Sequence, residues 1–245
     1  WEPVADRLEE ARSGMNDLEP EKRDTLLQQV RDELDAVEAE AGDGEEVPTH
    51  RVVDGMVYVA GGAFLSGPNN QVKELKAYWI DRYPVTNSEY RRFVEATGYR
   101  SPRFWTEGRL REPDAPVVGL SWYDAYKYAA FAGKSLPTKD QWEKAARGTN
   151  GNKYPWGADM ENERATYGGE EGSDGVADVG AYSGNVSDFG VADMSGNVWE
   201  WTDSPDPTDS EQKVICGGSW VDDPSFLVCD EHLAAYPKDK YDNIG

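Results

Sequence analysis

Gly190-Val-Ala-Asp-Met-Ser-Gly-Asn-Val-Trp-Glu-Trp201 sets two indoles and two acids around a Ser-Gly-Asn turn. Gly196 and Asn197 tolerate positive φ and so favour a tight bend. Asp193 and Glu200 flank that bend as oxygen donors of the kind a hard cation such as Ca²⁺ takes. A plainer alternative has the acids solvated and Trp199 and Trp201 simply in the core, and spacing alone favours it.

Outward from this stretch, Val214-Ile-Cys-Gly-Gly-Ser-Trp220 reads as a buried strand with a Gly-Gly kink, followed by an irregular tail from Asp222 to Gly245. Residues 149–190 are rich in Gly, Asp, Asn and Ser and lack periodicity. So long a segment inside a domain is expected to be an ordered loop pinned by something, plausibly a metal. Upstream, Thr138 with Gln141 forms a capping-box pattern for a helix ending at Gly148. Ser121 followed by Asp124 opens another over 122–132, and Thr86 caps one running to Thr97 with Gly98 as the stop. Residues 99–116 read as loop. Strands are predicted over 51–60, after the Gly61-Gly62 turn, and over 75–83.

Residues 1–46 carry 16 acids against 5 bases, net −11, half of the chain's −22. Val4, Leu8, Ala11 and Met15, then Leu27, Val30, Leu34 and Val37, recur at helical spacing on either side of Pro20. These narrow apolar stripes predict an α-helical hairpin over 2–41, suited to a helical partner or to self-association. A breaker-rich acidic linker places a boundary between 1–47 and 48–245. The acidity argues against a nucleic-acid partner, which would need clustered Lys and Arg. No apolar run approaches a membrane span. With two histidines and two cysteines, Cys216 and Cys229, a His-rich metal centre or a disulfide framework is not expected. The first residue is Trp rather than Met, which suggests a processed or excised chain, and the compartment stays open.

Taken in order, Gly61-Gly-Ala-Phe, Tyr83-Pro-Val-Thr-Asn-Ser-Glu-Tyr, Pro116-Val-Val-Gly-Leu-Ser-Trp-Tyr-Asp-Ala, Leu136-Pro-Thr-Lys-Asp-Gln-Trp-Glu-Lys-Ala-Ala-Arg-Gly, Tyr154-Pro-Trp-Gly, Met194-Ser-Gly-Asn-Val-Trp-Glu-Trp and Cys216-Gly-Gly-Ser-Trp resemble the formylglycine-generating enzyme (sulfatase-modifying factor) family. The resemblance implies an α+β, C-type-lectin-like fold low in regular secondary structure over about 51–245. It also implies structural calcium held by the side chains of Asp193 and Glu200 and the carbonyls of Gly196 and Val198. A second site would use Asp174 and the Val176 carbonyl, with Thr166 and Tyr167 aligned less securely. The family's oxidases carry a copper-binding cysteine pair just after Gly-Gly-Ser-aromatic. The equivalent positions here are Asp222 and Leu227, so no copper is expected, and Cys216 and Cys229 read as buried thiols rather than as a metal or disulfide pair. The histidine-dependent iron chemistry of the sulfoxide-synthase branch has no ligands within 1–47.

Two functions remain in view. One is a non-catalytic module that binds a protein or small-molecule ligand through residues 99–114 and 221–243. Its candidate contacts are Arg103, Trp105, Trp220, Phe226, His232 and Tyr236, because Arg and aromatics dominate contact energies; for Trp220 a core role is preferred. Its settings would be a sensor or effector-associated domain, an accessory periplasmic factor, or a retroelement-diversified binding protein. The alternative is an oxygen-dependent oxidase of protein cysteine or small thiols with an altered metal centre at Cys216 or Cys229.

Overall fold

The computed structural model describes residues 52–53, 55–106, 108–168 and 175–245. The helical hairpin expected over 2–41 and the boundary at 47/48 lie outside them.

Among the described residues, local chemistry fixes three α-helices: α1 (Asn87–Thr97), α2 (Trp122–Phe131) and α3 (Lys139–Arg147). Each begins with a complete capping box, Thr86 with Glu89, Ser121 with Asp124 and Thr138 with Gln141, in which side chains and backbone N–H groups satisfy one another reciprocally. Gly98 ends α1 at φ 68°, a left-handed conformation that costs glycine nothing.

The strands are short and fall in three separate sheets. β1 (Val52–Val53), β2 (Met56–Val59) and β5 (Tyr78–Asp81) form an antiparallel sheet in the order β1-β2-β5. β3 (Gly62–Ser66) and β4 (Gln71–Leu75) form a hairpin, with Phe64 opposite Lys73. β6 (Glu200–Pro205), β7 (Lys213–Cys216) and β8 (His232–Ala235) form an antiparallel sheet in the order β6-β7-β8.

Three expectations are corrected here. The strand predicted over 51–60 is instead two, β1 and β2, which pair antiparallel with Val53 opposite Met56, and that over 75–83 shortens to β5 because Leu75 still belongs to the β3-β4 hairpin. The tail is not wholly irregular: His232–Ala235 pairs with β7, and Cys216 faces His232 across the ladder.

Helix α3 is the centre of the frame. Trp142, Glu143, Lys144, Ala145, Ala146 and Arg147 are all buried. Glu143 accepts from Gly67 N (2.5 Å), the Ser66 hydroxyl (3.0 Å), Lys139 (2.9 Å) and Arg147 (2.9 Å). Burial would raise its carboxyl, but these donors outweigh burial and hold it below its ordinary range. Arg147 spends its remaining donors on the carbonyls of Gly67, Gly151 and Asn152 and on Asn70. Lys144 reaches the carbonyls of Ala60 and Gly62 at 2.7 and 3.0 Å. A set of charges that would unfold the core if left unpaired instead ties the first hairpin to α3.

Trp142 also anchors the main apolar cluster, with Val57, Val59, Val191, Met194, Val214, Cys216 and Cys229. Trp199 and Trp201 close a second cluster with Ile215, Ala235 and Ile244. Both tryptophans of the opening stretch are therefore core residues. Each still satisfies its indole N–H, on Asp222 Oδ2 at 2.8 Å and on the Leu120 carbonyl at 3.1 Å.

Candidate functional site

The turn before β6 holds Asp193 and Asn197 at φ 58° and 68°, with Gly196 at 79° between them. Non-glycine residues in this region are strained, and surrounding bonds fix them there. Asp193 N donates to the Asn185 carbonyl, and Gly196 N to the Gly217 carbonyl. A Cβ on Gly196 would lie 2.4 Å from the Thr166 carbonyl, so no other residue fits.

Asp193 is buried, and its Oδ2 accepts from Gly180 N at 2.5 Å. Burial outweighs that bond and pushes its carboxyl up to about 6. Glu200 keeps part of its surface open to a cavity, yet protein surrounds its carboxyl. Burial pushes it up to about 8, one bond from the Trp142 indole (3.2 Å) opposes this, and the charges of Asp193 and Asp81 add to it. Asp81 is itself neutralised by Lys134 at 2.6 Å. Asp193 and Glu200 have no cationic side chain within ion-pair distance among the described residues. Buried negative charge left unmatched in this way is the environment a bound cation would relieve. Nearby, the Asn185 amide oxygen is buried with no hydrogen-bond partner. The adjoining cavity, of about 130 Å³, is too small for a drug-sized ligand.

The second calcium expectation fares differently. Asp174 lies outside the described residues. The Val176 carbonyl accepts from the Arg109 guanidinium at 3.0 Å, which sits 3.5 Å from Asp178. The Thr166 carbonyl is taken by Asn197 N at 2.9 Å, and Tyr167 is buried in an apolar cluster with Tyr154, Ala165 and Leu227.

The Gly217-Gly218 kink turns the chain back over this site. Asp222 and Leu227, which follow it, are structural. Asp222 Oδ2 accepts from the Trp199 indole and from the Ser219 hydroxyl. Leu227 is fully buried, and its carbonyl accepts from the Ser195 hydroxyl at 2.5 Å. Cys216 and Cys229 are free, buried thiols in the Trp142 cluster. Burial pushes both thiols well above their ordinary range, which suppresses the thiolate that metal binding or nucleophilic chemistry requires. Among the described residues no three His, Cys, Asp or Glu side chains converge as a metal cluster.

The six surface candidates separate. Arg103 and Tyr236 are exposed. Trp105 faces inward, donating to Asn87 Oδ1 at 2.6 Å under the Arg91 guanidinium. Trp220 packs on Val118, Val176 and Val198, and its indole N–H is buried without a partner. Phe226 packs edge-on to Trp199 at 6.2 Å, and His232 sits in β8. They do not form one patch of exposed aromatics. The exposed tyrosines that sequence reasoning missed are Tyr123, Tyr126 and Tyr241; on α2, the i, i+3 spacing of the first two was the available signal.

Comparison with known proteins decides the lineage. A model of the sulfatase-modifying factor enzyme 1-like domain matches residues 41–245. The chain belongs to this family. Within it, the chain is 31% identical to the bovine (Bos taurus) inactive C-alpha-formylglycine-generating enzyme 2, over 75% of this chain and 79% of that one. It is 33% identical to a hercynine oxygenase of Mycobacterium tuberculosis, over 64% of this chain, and spans 48% of that protein's length. PvdO from Pseudomonas aeruginosa superposes with a TM-score of 0.64 at 25% identity, covering 78% of this chain and 91% of that one. Treponema denticola variable protein 1, at 22% identity and a TM-score of 0.62, shows the same fold. The α+β, lectin-like architecture is thus that of the family. No described helix is long and apolar enough to cross a membrane.

Proposed function

We propose that this chain is a non-catalytic binding module built on the family scaffold. The observation that carries the reading is the use of Asp222 and Leu227. Where the resemblance puts reactive sulfurs, one side chain braces Trp199 and Ser219 and the other fills the core. Both cysteines the chain does possess are buried and apolar in setting. The 31% likeness to an inactive relative agrees with this. Ligand contact is assigned to the loops at 99–114 and 221–243, carried by the rigid α3 frame. Residues 2–41, which lie outside the described residues, would act as a tether or docking element if they form the hairpin their spacing predicts.

We further propose that one calcium ion is held by the carboxylates of Asp193 and Glu200 with the Val198 carbonyl and the second lone pair of the Gly196 carbonyl, whose first accepts from Val198 N at 2.9 Å. Two buried acids without a counter-charge support this, and calcium would neutralise them and brace the turn. Its role is structural.

The oxidase alternative is tested by oxygen uptake with a Cys-x-Pro-x-Arg peptide and copper. No uptake above a Cys216→Ser/Cys229→Ser control is expected. Copper-dependent turnover lost in that control would overturn the binding reading.

A further inference from the structure

Charge reverses sign locally in this acidic molecule. Bordered by Asp81 on one side and Glu112 and Asp114 on the other, residues 82–111 hold seven arginines against three glutamates, net +4 in a chain of −22. One of those acids is already engaged: Glu89 caps α1 by accepting from Thr86 N and Oγ1 at 2.8 Å. Arg100 pairs with Asp124 and Arg109 with Asp178. Arg91, Arg92, Arg103 and Arg111 are exposed, and among the described residues no carboxylate lies within ion-pair distance of them.

These side chains are also held in place. The Arg91 guanidinium lies over the Trp105 ring at 4.6 Å, and Arg103 lies over Phe104 at 5.2 Å with one N–H on the Lys240 carbonyl at 3.5 Å and, among the described residues, the rest open. A guanidinium stacked on an aromatic face keeps its N–H edge free for in-plane carboxylates and loses less freedom on binding than an unstacked one. The shelf beneath is rigid. Asn87 takes the Trp105 indole N–H at 2.6 Å and donates to the carbonyls of Leu110 (3.1 Å) and Glu112 (2.9 Å), binding α1, Trp105 and the Arg109–Arg111 turn together. Trp105 thus contributes by placing Arg91 rather than by touching a ligand.

We propose that the region around the Trp105 shelf, with Arg91 on its ring, Arg111 in the turn tied to Asn87 and Arg103 two residues before Trp105, is a docking surface for an acidic peptide segment of a partner protein. This names the partner class for the 99–114 surface and so rests on the binding-module reading. A segment rich in Asp and Glu matches the forked donors bidentately at short range. Nucleic acid is disfavoured because its extended phosphate charge would meet the acidic remainder of the molecule beyond a Debye length of about 8–10 Å.

The test uses the full chain and a fluorescein-labelled decaglutamate peptide, read by anisotropy at low and high salt. Salt-sensitive binding is expected. An Arg91→Ala/Arg103→Ala/Arg111→Ala variant should weaken it at least about tenfold. A variant removing as much charge elsewhere, Lys76→Ala/Lys153→Ala/Lys238→Ala, should change it less than about twofold. All six positions are exposed, and unchanged thermal melting checks that both variants fold. Absent binding, equal loss in the two variants, or tighter binding of duplex DNA of equal charge would each overturn the proposal. Any of these results leaves the non-catalytic reading standing, whereas copper-dependent oxygen uptake would overturn that reading without touching the arginines.

Discussion

Two regions of this molecule bury acid, and they do it in opposite ways. In α3, Glu143 meets two cations, a hydroxyl and a backbone amide, and Arg147 satisfies the surrounding carbonyls. At the 193–200 turn, two carboxylates share a buried setting with one amide, one indole and no cation. The first region is complete within the chain. The second gains from an outside charge. Burial of charge is therefore a scaffold device in one place and, on the proposed reading, an ion-binding device in the other, and the carboxyl shifts, down for Glu143 and up for Asp193 and Glu200, follow the partners rather than the depth.

Breaking the completed network should have the largest effect. Arg147→Ala leaves Glu143 with Lys139 as its one close cation, strips the Gly67, Gly151 and Asn152 carbonyls of their donor, and is expected to cost about 3–5 kcal/mol in urea unfolding. If it costs under about 1 kcal/mol, the internal pairing is not what holds the hairpin to α3. Asp124 gives a smaller, pH-dependent counterpart. It is buried with Lys240, Ser121 and Arg100 around it; burial alone would raise its carboxyl, and those partners hold it well below the usual range. The folded state therefore binds this proton less readily than the unfolded chain. Its contribution is full above the unfolded value near 3.9 and is lost as pH falls through the folded value. Asp124→Asn should cost about 2–4 kcal/mol at pH 7, and the gap to wild type should narrow below about pH 4.

The open turn predicts the reverse sign. In chelator near pH 7, Glu200→Gln removes the cost of a buried carboxyl that must take up a proton on folding, because its value rises from the ordinary range to about 8, and should raise stability by about 1–3 kcal/mol. In calcium, the variant should fail to show the wild-type rise in melting temperature. A loss of stability in chelator would mean that the carboxylate is already satisfied. The smallest effect sharpens the role of Trp105: Trp105→Phe keeps the ring but drops the Asn87 bond, and should cost about 0.5–1.5 kcal/mol.

What could be read from the sequence follows the range of the interactions. The capping boxes at Thr86, Ser121 and Thr138 and the stop at Gly98 are local, and the structure holds all of them. The Gly-Gly kink and the strand before it were equally legible. β4, β6 and β8 were not, because four to six residues carry too little alternation to read as a strand. The network of Glu143 and Arg147 was invisible because its partners are remote: Gly67, Asn70 and Ser66 lie more than seventy residues away. At the turn, sequence located the acids but not their unpaired state. On the surface, aromatic identity alone did not separate Trp105, which packs inward, from Tyr236, which does not, whereas the core preference for Trp220 agrees with its packing on Val118, Val176 and Val198.

The central claim is a lectin-like scaffold braced by calcium at 193–200 and holding no catalytic copper. Elemental analysis of the full chain, purified without chelator and equilibrated with both metals before desalting, tests it most directly. The account predicts about one calcium per chain, absent in the Glu200→Gln variant, with copper far below one equivalent. One copper per chain lost on substituting Cys216 or Cys229, or calcium retained by the variant, would contradict it.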